Sequence, residues 1–382
     1  VIALSVANAY YVHPIISEVA AHFSVGAAQI GIVPALNQIA LAVGIFFLLP
    51  LGDRFGNRNL VFIFSSLQAL CLLVMGLASS LPIFLAASTI LGSVTVAPYL
   101  LPAYASKRTP PEQLGRITAL LTAGILFGIL YARVGAGVIA EYLGWQVVYY
   151  LASGLMIALV LSLKFLMRAK AKAAADAPAP IPYRQLLMSL GPLVRQHPEA
   201  ALSGFIQALN FGMFISIWLG LALHLVSPQM GFSVDVVGYL ALTAALSMVT
   251  TPKLGLWVDK IGPEKARLTL ACIQIVAMAL LYLFADSLIL LLIPILMNTV
   301  VGPVMDVSGR MTILRLAPDI RTRLMTVYVV IMFIGGGIAS KVSTQAYDAA
   351  GWSGNVAIAA GFAILTAILS ALALYRFRPA PA

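Results

Sequence analysis

Apolar runs of membrane-spanning length return twelve times along this chain, and that repetition constrains its fold more than any other feature. A transmembrane helix needs about 20 mostly apolar residues. The runs lie at about 1–21, 27–51, 59–79, 82–105, 115–140, 145–167, 199–224, 234–256, 267–284, 288–311, 322–343 and 355–375. One very large soluble core is the competing solution, and composition argues against it. Of the 382 residues 61% are hydrophobic and 9% are charged, against about 25% charged in soluble domains. The expected fold class is an all-α, polytopic membrane protein.

Charge supplies orientation. The net charge of +10 would suit a nucleic-acid partner if it formed one patch, but its distribution excludes that partner. All but two of the 23 Lys and Arg fall at the ends of alternate segments, in the loops joining them, or in the C-terminal tail. The exceptions are Arg133 and Lys341, whereas Glu141, Asp235, Asp286 and Asp348 lie at the opposite face. This positive-inside bias places both termini and the central loop in the cytoplasm. The chain begins at Val1, without Met and already inside an apolar run, so a short natural N-terminus is expected before it. Asn8, His13 and Glu18, with no basic flank or small-residue cleavage pattern, argue against a signal peptide. Cys71 and Cys272 lie in separate segments without metal-type spacing and are expected to be buried spectators.

The chain is also duplicated. LPLGDRFGNRNL (49–60) has an imperfect copy in GLWVDKIGPEK (255–265), with Asp53 and Asp259 separated by 206 positions. Gly31 and Gly238, Pro111 and Pro318, Gly144-Trp145 and Gly351-Trp352, Gly154 and Gly361, and Glu141 and Asp348 are each 207 apart. Six such markers spread over the chain mean a six-helix unit repeated in parallel. The expected architecture is 12 transmembrane helices in two six-helix bundles, related by a pseudo-two-fold axis along the membrane normal. The halves are 1–167 and 199–382, and 168–198 is a cytoplasmic linker. The linker is basic, Ala-rich and Pro-rich at its start, and Tyr183–Arg195 suits a short amphipathic helix at the interface.

These residues resemble the major facilitator superfamily. That family's motif has Gly four residues before an Asp, then D-R/K-x-G-R-R/K. Gly52, Asp53, Arg54, Gly56 and Arg58 fit it, while Leu49 and Asn57 depart. In the second copy Gly255, Asp259, Lys260 and Gly262 fit, and Pro263 and Glu264 break the basic end. The opening SVANAYYVHPIISEVAAHFSV resembles the bacterial drug/proton antiporter and sugar-efflux branch. Two marks of proton-linked drug exporters are absent: segment 4 has no Arg, and Ile129 follows Gly128 where that branch has Pro. The resemblance implies a conformational latch made of Asp53, Arg54, Gly56, Arg58, Asp259, Lys260 and Gly262. Asp53 would face the start of segment 11, near Arg321–Met325, and Asp259 the start of segment 5, near Gly115–Thr118. A carboxylate gains about 0.3–1 kcal/mol at a helix N-terminus, and Gly56 and Gly262 permit a tight turn.

Ionisable groups inside spanning segments are costly and mark functional candidates. At 100° per residue, Asn8, Tyr11 and Glu18 share one stripe of segment 1, His13 shares another with Tyr10, and Pro14 supplies a kink. Asp306 and Arg310 lie one turn apart in segment 10, with Asn298 and Gly302 nearly in line. They read either as a self-neutralised intrahelical pair or as a site where Asp306 exchanges Arg310 for a proton. The proton-coupling candidates are Asp306, Arg310, Glu18 and His13. Three readings are open for Arg133: attraction of an anionic substrate, pairing with an acid across the bundle, or snorkelling outward beside Glu141. Lys341 matches it in the other half at an offset of 208. Gln207, Asn210, Phe214 and Trp218 share one face of segment 7, Asn37 and Gln38 lie in segment 2, and Tyr99 and Tyr104 in segment 4. Asn8, Tyr11, Asn37, Gln38, Tyr99, Arg133, Gln207, Asn210, Phe214, Trp218, Asn298 and Lys341 are the candidate cavity residues, each also readable as interhelical glue. Gly335-Gly336-Gly337 suits close helix contact or bending.

The resemblance and these residues imply a secondary active transporter working by alternating access, exporting a small amphipathic compound against protons. The alternative is proton-coupled uptake of an anionic nutrient or a siderophore-like metal chelate. A non-transporting membrane receptor or enzyme is disfavoured, because His13, His22, His197 and His224 are scattered and no catalytic or metal cluster is evident. No G-x-x-x-x-G-K-[ST] occurs, so the proton gradient, rather than a cofactor or ATP, is the expected driving force. The expected partners are a small-molecule substrate and the lipid bilayer, with the chain acting as a monomer.

Overall fold

The structure, a computed structural model, describes residues 1–51, 55, 57–106, 113–166, 183–316 and 318–377. Among these residues every regular element is helical. In lipid the backbone must satisfy its own hydrogen bonds, which a helix does locally. Among the described residues ten helices are long and apolar enough to cross a membrane. Their outward faces carry large apolar side chains in the open, among them Phe165, Leu161, Ile289 and Leu283. Such faces are stable only where lipid replaces water.

The first apolar run is not one helix. Helices α1 (Ile2–Ala7) and α2 (Ile16–His22) flank a stretch of turns over Asn8–Ile15. There the N–H groups of Ala9, Tyr10 and His13 reach back three residues, to Val6, Ala7 and Tyr10. The expected stripe at 100° per residue therefore fails through this segment. The expected Pro14 kink is instead a break extending over about two turns.

Next come α3 (Ala27–Ile30), α4 (Ile32–Leu48), α5 (Asn57–Gly76), α6 (Leu81–Val94) and α7 (Ala97–Ser106). The fourth apolar run is thus divided at Thr95–Val96, where the expected single segment would have been continuous. Helices α8 (Leu114–Leu143) and α9 (Trp145–Leu166) meet at Gly144, whose φ of +88° only glycine adopts freely. Helix α10 (Tyr183–Gln196) lies where the short amphipathic helix is expected, and the Tyr183 hydroxyl donates to the Phe47 carbonyl at 2.9 Å.

The remaining elements are α11 (Pro198–Leu225), α12 (Val234–Leu240), α13 (Ala244–Ile261), α14 (Pro263–Leu283), α15 (Leu288–Leu314) and α16 (Pro318–Arg376). Helices α11 and α14 start on Pro, whose missing N–H costs nothing there. Helix α16 covers two apolar runs and is bent by non-helical Ala350 and Gly351. Gly144 and Gly351 thus both take positive φ ahead of Trp145 and Trp352.

The glycine run of α16 does what its composition suggests. A Cβ at Gly335 would lie 2.5 Å from Ala208 Cβ, and one at Gly337 2.5 Å from Ile39 and 2.7 Å from the Ala35 carbonyl. Helix α16 therefore touches α11 on one side and α4 on the other at backbone distance. Cys71 is buried, but Cys272 is exposed on the outer face of α14, which corrects the expectation that both are buried.

Candidate functional site

Two buried Asn–Gln networks stand in the two parts of the chain. In the first half, Asn8 Nδ2 donates to Gln68 Oε1 at 2.9 Å, and Gln68 Nε2 donates to the Val94 carbonyl at 3.0 Å, beside the break between α6 and α7. In the second, Gln274 Nε2 donates to Asn210 Oδ1 at 2.8 Å, and Asn210 Nδ2 donates to the Gly302 carbonyl and to Gln207 Oε1, both at 3.1 Å. Gln68 and Gln274, 206 apart in sequence, escape a reading by spanning-segment charge. The offset that paired the loops would have found them.

His22 and His224 form a second matched pair. His22 sits edge-on to Trp145 with ring centroids 5.1 Å apart, and His224 stacks on Trp352 at 4.6 Å. His224 Nε2 also lies 2.9 Å from the Ala285 carbonyl. These two histidines, apparently scattered in sequence, secure the same Gly-Trp corner in each half.

At the end bearing the Gly-Trp corners, the first and second halves meet through two related contacts. A Cβ at Gly31 would lie 1.8 Å from Thr344 Oγ1, and one at Gly137 2.9 Å from Gly238 Cα. Glu141 Oε2 accepts from the Val234 N–H at 3.0 Å, at the start of α12. Asp348 Oδ1 lies 3.1 Å from where a Cβ on Gly26 would stand, at the start of α3. Each acid thus meets a helix start of the other half, where exposed N–H groups favour negative charge. Lys341 Nζ donates to the Ala28 carbonyl at 2.6 Å and Ser340 Oγ to the Gly31 carbonyl at 3.1 Å.

The latch expected at the opposite end falls partly outside the described residues, which exclude Asp53, Arg54 and Gly56. Arg58 is half-buried, Asp259 and Lys260 are exposed, and Gly262 has φ +88°. Asn57, which departs from the motif, donates from Nδ2 to the Leu100 carbonyl at 3.3 Å.

Between these ends lies Arg133 of α8. It does not snorkel: 2% of it is exposed. No carboxylate forms an ion pair with it among the described residues. Its Nη2 lies 3.4 Å from His13 Nδ1, and its guanidinium carbon stands 5.7 Å from the Tyr10 ring centroid, 4.6 Å from Phe214 and 4.3 Å from Trp218. Arg133 Nε and His13 Nε2 are buried without hydrogen-bond partners. His13 and Tyr10 share a face, with rings 5.3 Å apart. Lys341 contacts a different element, so the two cations matched in sequence are not joined in space.

Phe214 and Trp218 also line a small cavity with Asn210, Gln274, Asn298 and Gly302. Its volume of about 20 Å³ accommodates little more than a water molecule. Asn298 spends its amide N–H on the Pro294 carbonyl of its own helix, 2.9 Å away.

Beyond the cavity, Asp306 Oδ2 accepts from Arg310 Nε at 2.8 Å, as the i,i+4 spacing suggests. A third member comes from α16: the Tyr328 hydroxyl donates to Asp306 Oδ1 at 2.8 Å. Gly309 makes room for it, since a Cβ there would lie 2.5 Å from Tyr328 Oη. Tyr99 stands edge-on to Phe333.

Other candidates serve elsewhere. Asn37 Nδ2 bonds the Ser88 carbonyl at 2.7 Å and so ties α4 to α6. Gln38 is fully buried with both amide atoms unpartnered. Tyr11 is buried, and Glu18 is half-buried with no hydrogen bond among the described residues.

The model of the Major Facilitator Superfamily matches residues 1–340 and again 200–382. The chain belongs to this superfamily. It is 28% identical over 367 residues to the Escherichia coli (strain K12) protein called putative uncharacterized transporter YgaY, covering 96% of this chain and 92% of that one. It is 24% identical over 364 residues to the probable transporter SCO4007 of Streptomyces coelicolor, covering 95% and 83%. Among solved structures, a bacterial homolog of the human lysosomal transporter Spinster, inward-facing and unoccupied, superposes with TM-score 0.79 at 14% identity, over 100% of this chain and 97% of that one. The D-xylose–proton symporter does so with TM-score 0.73 at 16% identity, over 99% and 95%. At these identities the structures support the fold alone. This superfamily member is thus a multi-pass membrane transporter.

Proposed function

We propose that the chain is a secondary active transporter that works by alternating access and exports a small amphipathic compound in exchange for protons. Twelve spans in two six-helix halves, 1–167 and 199–382, would carry out this cycle, with 168–198 as the cytoplasmic tether. The observation that carries the reading is the pair of related contacts at the Gly-Trp end. Glu141 on the start of α12 and Asp348 on the start of α3 are what a duplicated carrier needs to shut one side over a central cavity. The basic loops put that end outside a bacterial inner membrane in this reading, and closure there would make the conformation an inward-facing one.

Asp306 is the proposed proton carrier. Ionised, it is held by Arg310 and Tyr328. Protonated, it releases Arg310, and the charge difference biases the position of α15 against α16. Partial exposure of both side chains, 27% for Asp306 and 36% for Arg310, suits a group that must meet protons from an aqueous side. The Asp53 and Asp259 latches remain proposals for the opposite end, closing it in the outward-facing state.

Proteoliposomes containing a pH-sensitive dye and carrying an imposed pH gradient test this reading against a panel of amphipathic compounds. Compound-dependent proton flux opposite to compound movement is expected. Flux in the same direction would replace export with the second reading, uptake of an anionic nutrient or chelate, which the uncompensated charge of Arg133 favours. Compound movement indifferent to the gradient would overturn proton coupling in both.

A further inference from the structure

Arg133 is a full positive charge sealed among rings. Arginine has no acceptor, so His13 Nδ1 must accept at the 3.4 Å contact, and the ring proton therefore belongs on Nε2. That leaves two buried N–H donors in one pair, Arg133 Nε and His13 Nε2, with nothing to donate to. Buried donors are nearly always satisfied, and a buried charge is tolerated only where something compensates it. The faces of Phe214 and Trp218 compensate weakly here, through the quadrupoles of their π systems. They come from α11, while the arginine comes from α8, so relative motion of those helices uncovers the guanidinium and two aromatic faces together. The same rings line the cavity.

We propose that Arg133 and His13 form the receptor for the anionic group of an organic monoanion, with Phe214 and Trp218 holding its aromatic or apolar body. The carboxylate of the cargo takes the place the rings occupy against the guanidinium, and its body stacks where the guanidinium had stacked. This inference rests on the transport reading only in calling the ligand a cargo; the binding site itself stands or falls by binding.

The test uses the purified full chain in detergent, with benzoate and its neutral isostere benzamide as probes and calorimetry with tryptophan fluorescence as readouts. Saturable benzoate binding is expected, at least about tenfold tighter than benzamide, the discrimination expected of a charge-assisted pair. Arg133→Gln is expected to lower benzoate affinity by about the same factor and leave benzamide binding unchanged, with Arg133→Lys intermediate because it keeps charge without the planar fork. Equal affinity for the two probes, no binding of either, or undiminished benzoate binding by folded Arg133→Gln would overturn the proposal. Should Arg133→Gln not fold, the benzoate-to-benzamide ratio in the unmodified protein decides alone. Benzoate binding with no gradient-driven flux would keep this site and remove the coupled-transport reading; driven flux of neutral compounds without benzoate binding would do the reverse.

Discussion

Arg133 and Arg267 are each 2% exposed, yet they occupy opposite kinds of environment. Arg267 donates from Nη1 to Ser203 Oγ at 2.8 Å and from Nη2 to Thr312 Oγ1 at 3.1 Å, tying α14 to α11 and α15. Glu264, one turn earlier on α14, lies 3.7 Å from Arg315 and adds negative charge nearby. Arg133 has one contact to an imidazole nitrogen and three to aromatic faces, spread over the first and second halves of the chain. Burial alone therefore does not distinguish a structural arginine from a functional one. The acceptors do. Each Nε is buried without a partner, but both terminal nitrogens of Arg267 reach hydroxyl oxygens within its own half, whereas Arg133 meets an imidazole nitrogen and rings at the seam.

The largest expected effect belongs to replacing the arginine at the seam. Arg133→Gln is expected to lower transport by about 10- to 100-fold, the equivalent of one charge-assisted hydrogen bond, with little change in melting temperature. A large loss of stability with normal transport per folded molecule would make the two arginines alike and break the comparison. Arg267→Met should behave in the opposite way. Losing two hydrogen bonds to a charged group is expected to cost about 3 kcal/mol of stability, seen as a lower melting temperature in detergent, while transport per folded molecule changes less than about twofold.

Asp306→Asn sharpens the same comparison for a paired charge. It is expected to abolish accumulation driven by a pH gradient and to spare substrate exchange across the membrane. Unchanged driven accumulation would return Asp306 to an ordinary intrahelical pair. The smallest effect is expected at the Gly-Trp end. Glu141→Gln and Asp348→Asn each remove about 0.3–1 kcal/mol of charge–helix interaction, so the closed-to-open ratio should fall by up to about fivefold. Spin labels at Tyr142→Cys and Leu283→Cys, in a Cys71→Ala, Cys272→Ala background, would report a longer distance distribution. An unchanged distribution would show that the glycine contacts alone hold this end.

Much of the fold was legible because lipid imposes a length and a composition on every crossing, and both can be counted along the chain. The two Gly-Trp corners were legible for a related reason: Gly144-Trp145 and Gly351-Trp352 stand at positions of positive φ that tolerate few alternatives. Segment 1 was not legible in detail. Its helical arithmetic assumed a regular backbone, and turns over Asn8–Ile15 replaced it. The break at Thr95–Val96 was hidden for the opposite reason, because an apolar run looks the same whether its backbone is continuous or interrupted.

Site residues divided along similar lines. Asp306 and Arg310 were readable as a pair because i,i+4 spacing fixes them on one face. Tyr328 was not, since it arrives from another helix 22 positions on. Asn37 looked like a cavity residue and proved to be helix glue, because polarity in a span reveals a need for a partner and not which partner meets it.

By itself the sequence determined a helical, multi-pass membrane protein with matched motifs about 207 positions apart. These follow from solvent and chain periodicity, which act locally. Only the tertiary structure decided that Arg133 faces rings and a histidine instead of an acid, and that Glu141 and Asp348 sit beside helix starts of the opposite half. Those outcomes depend on which distant helix lies alongside, and packing sets that neighbour.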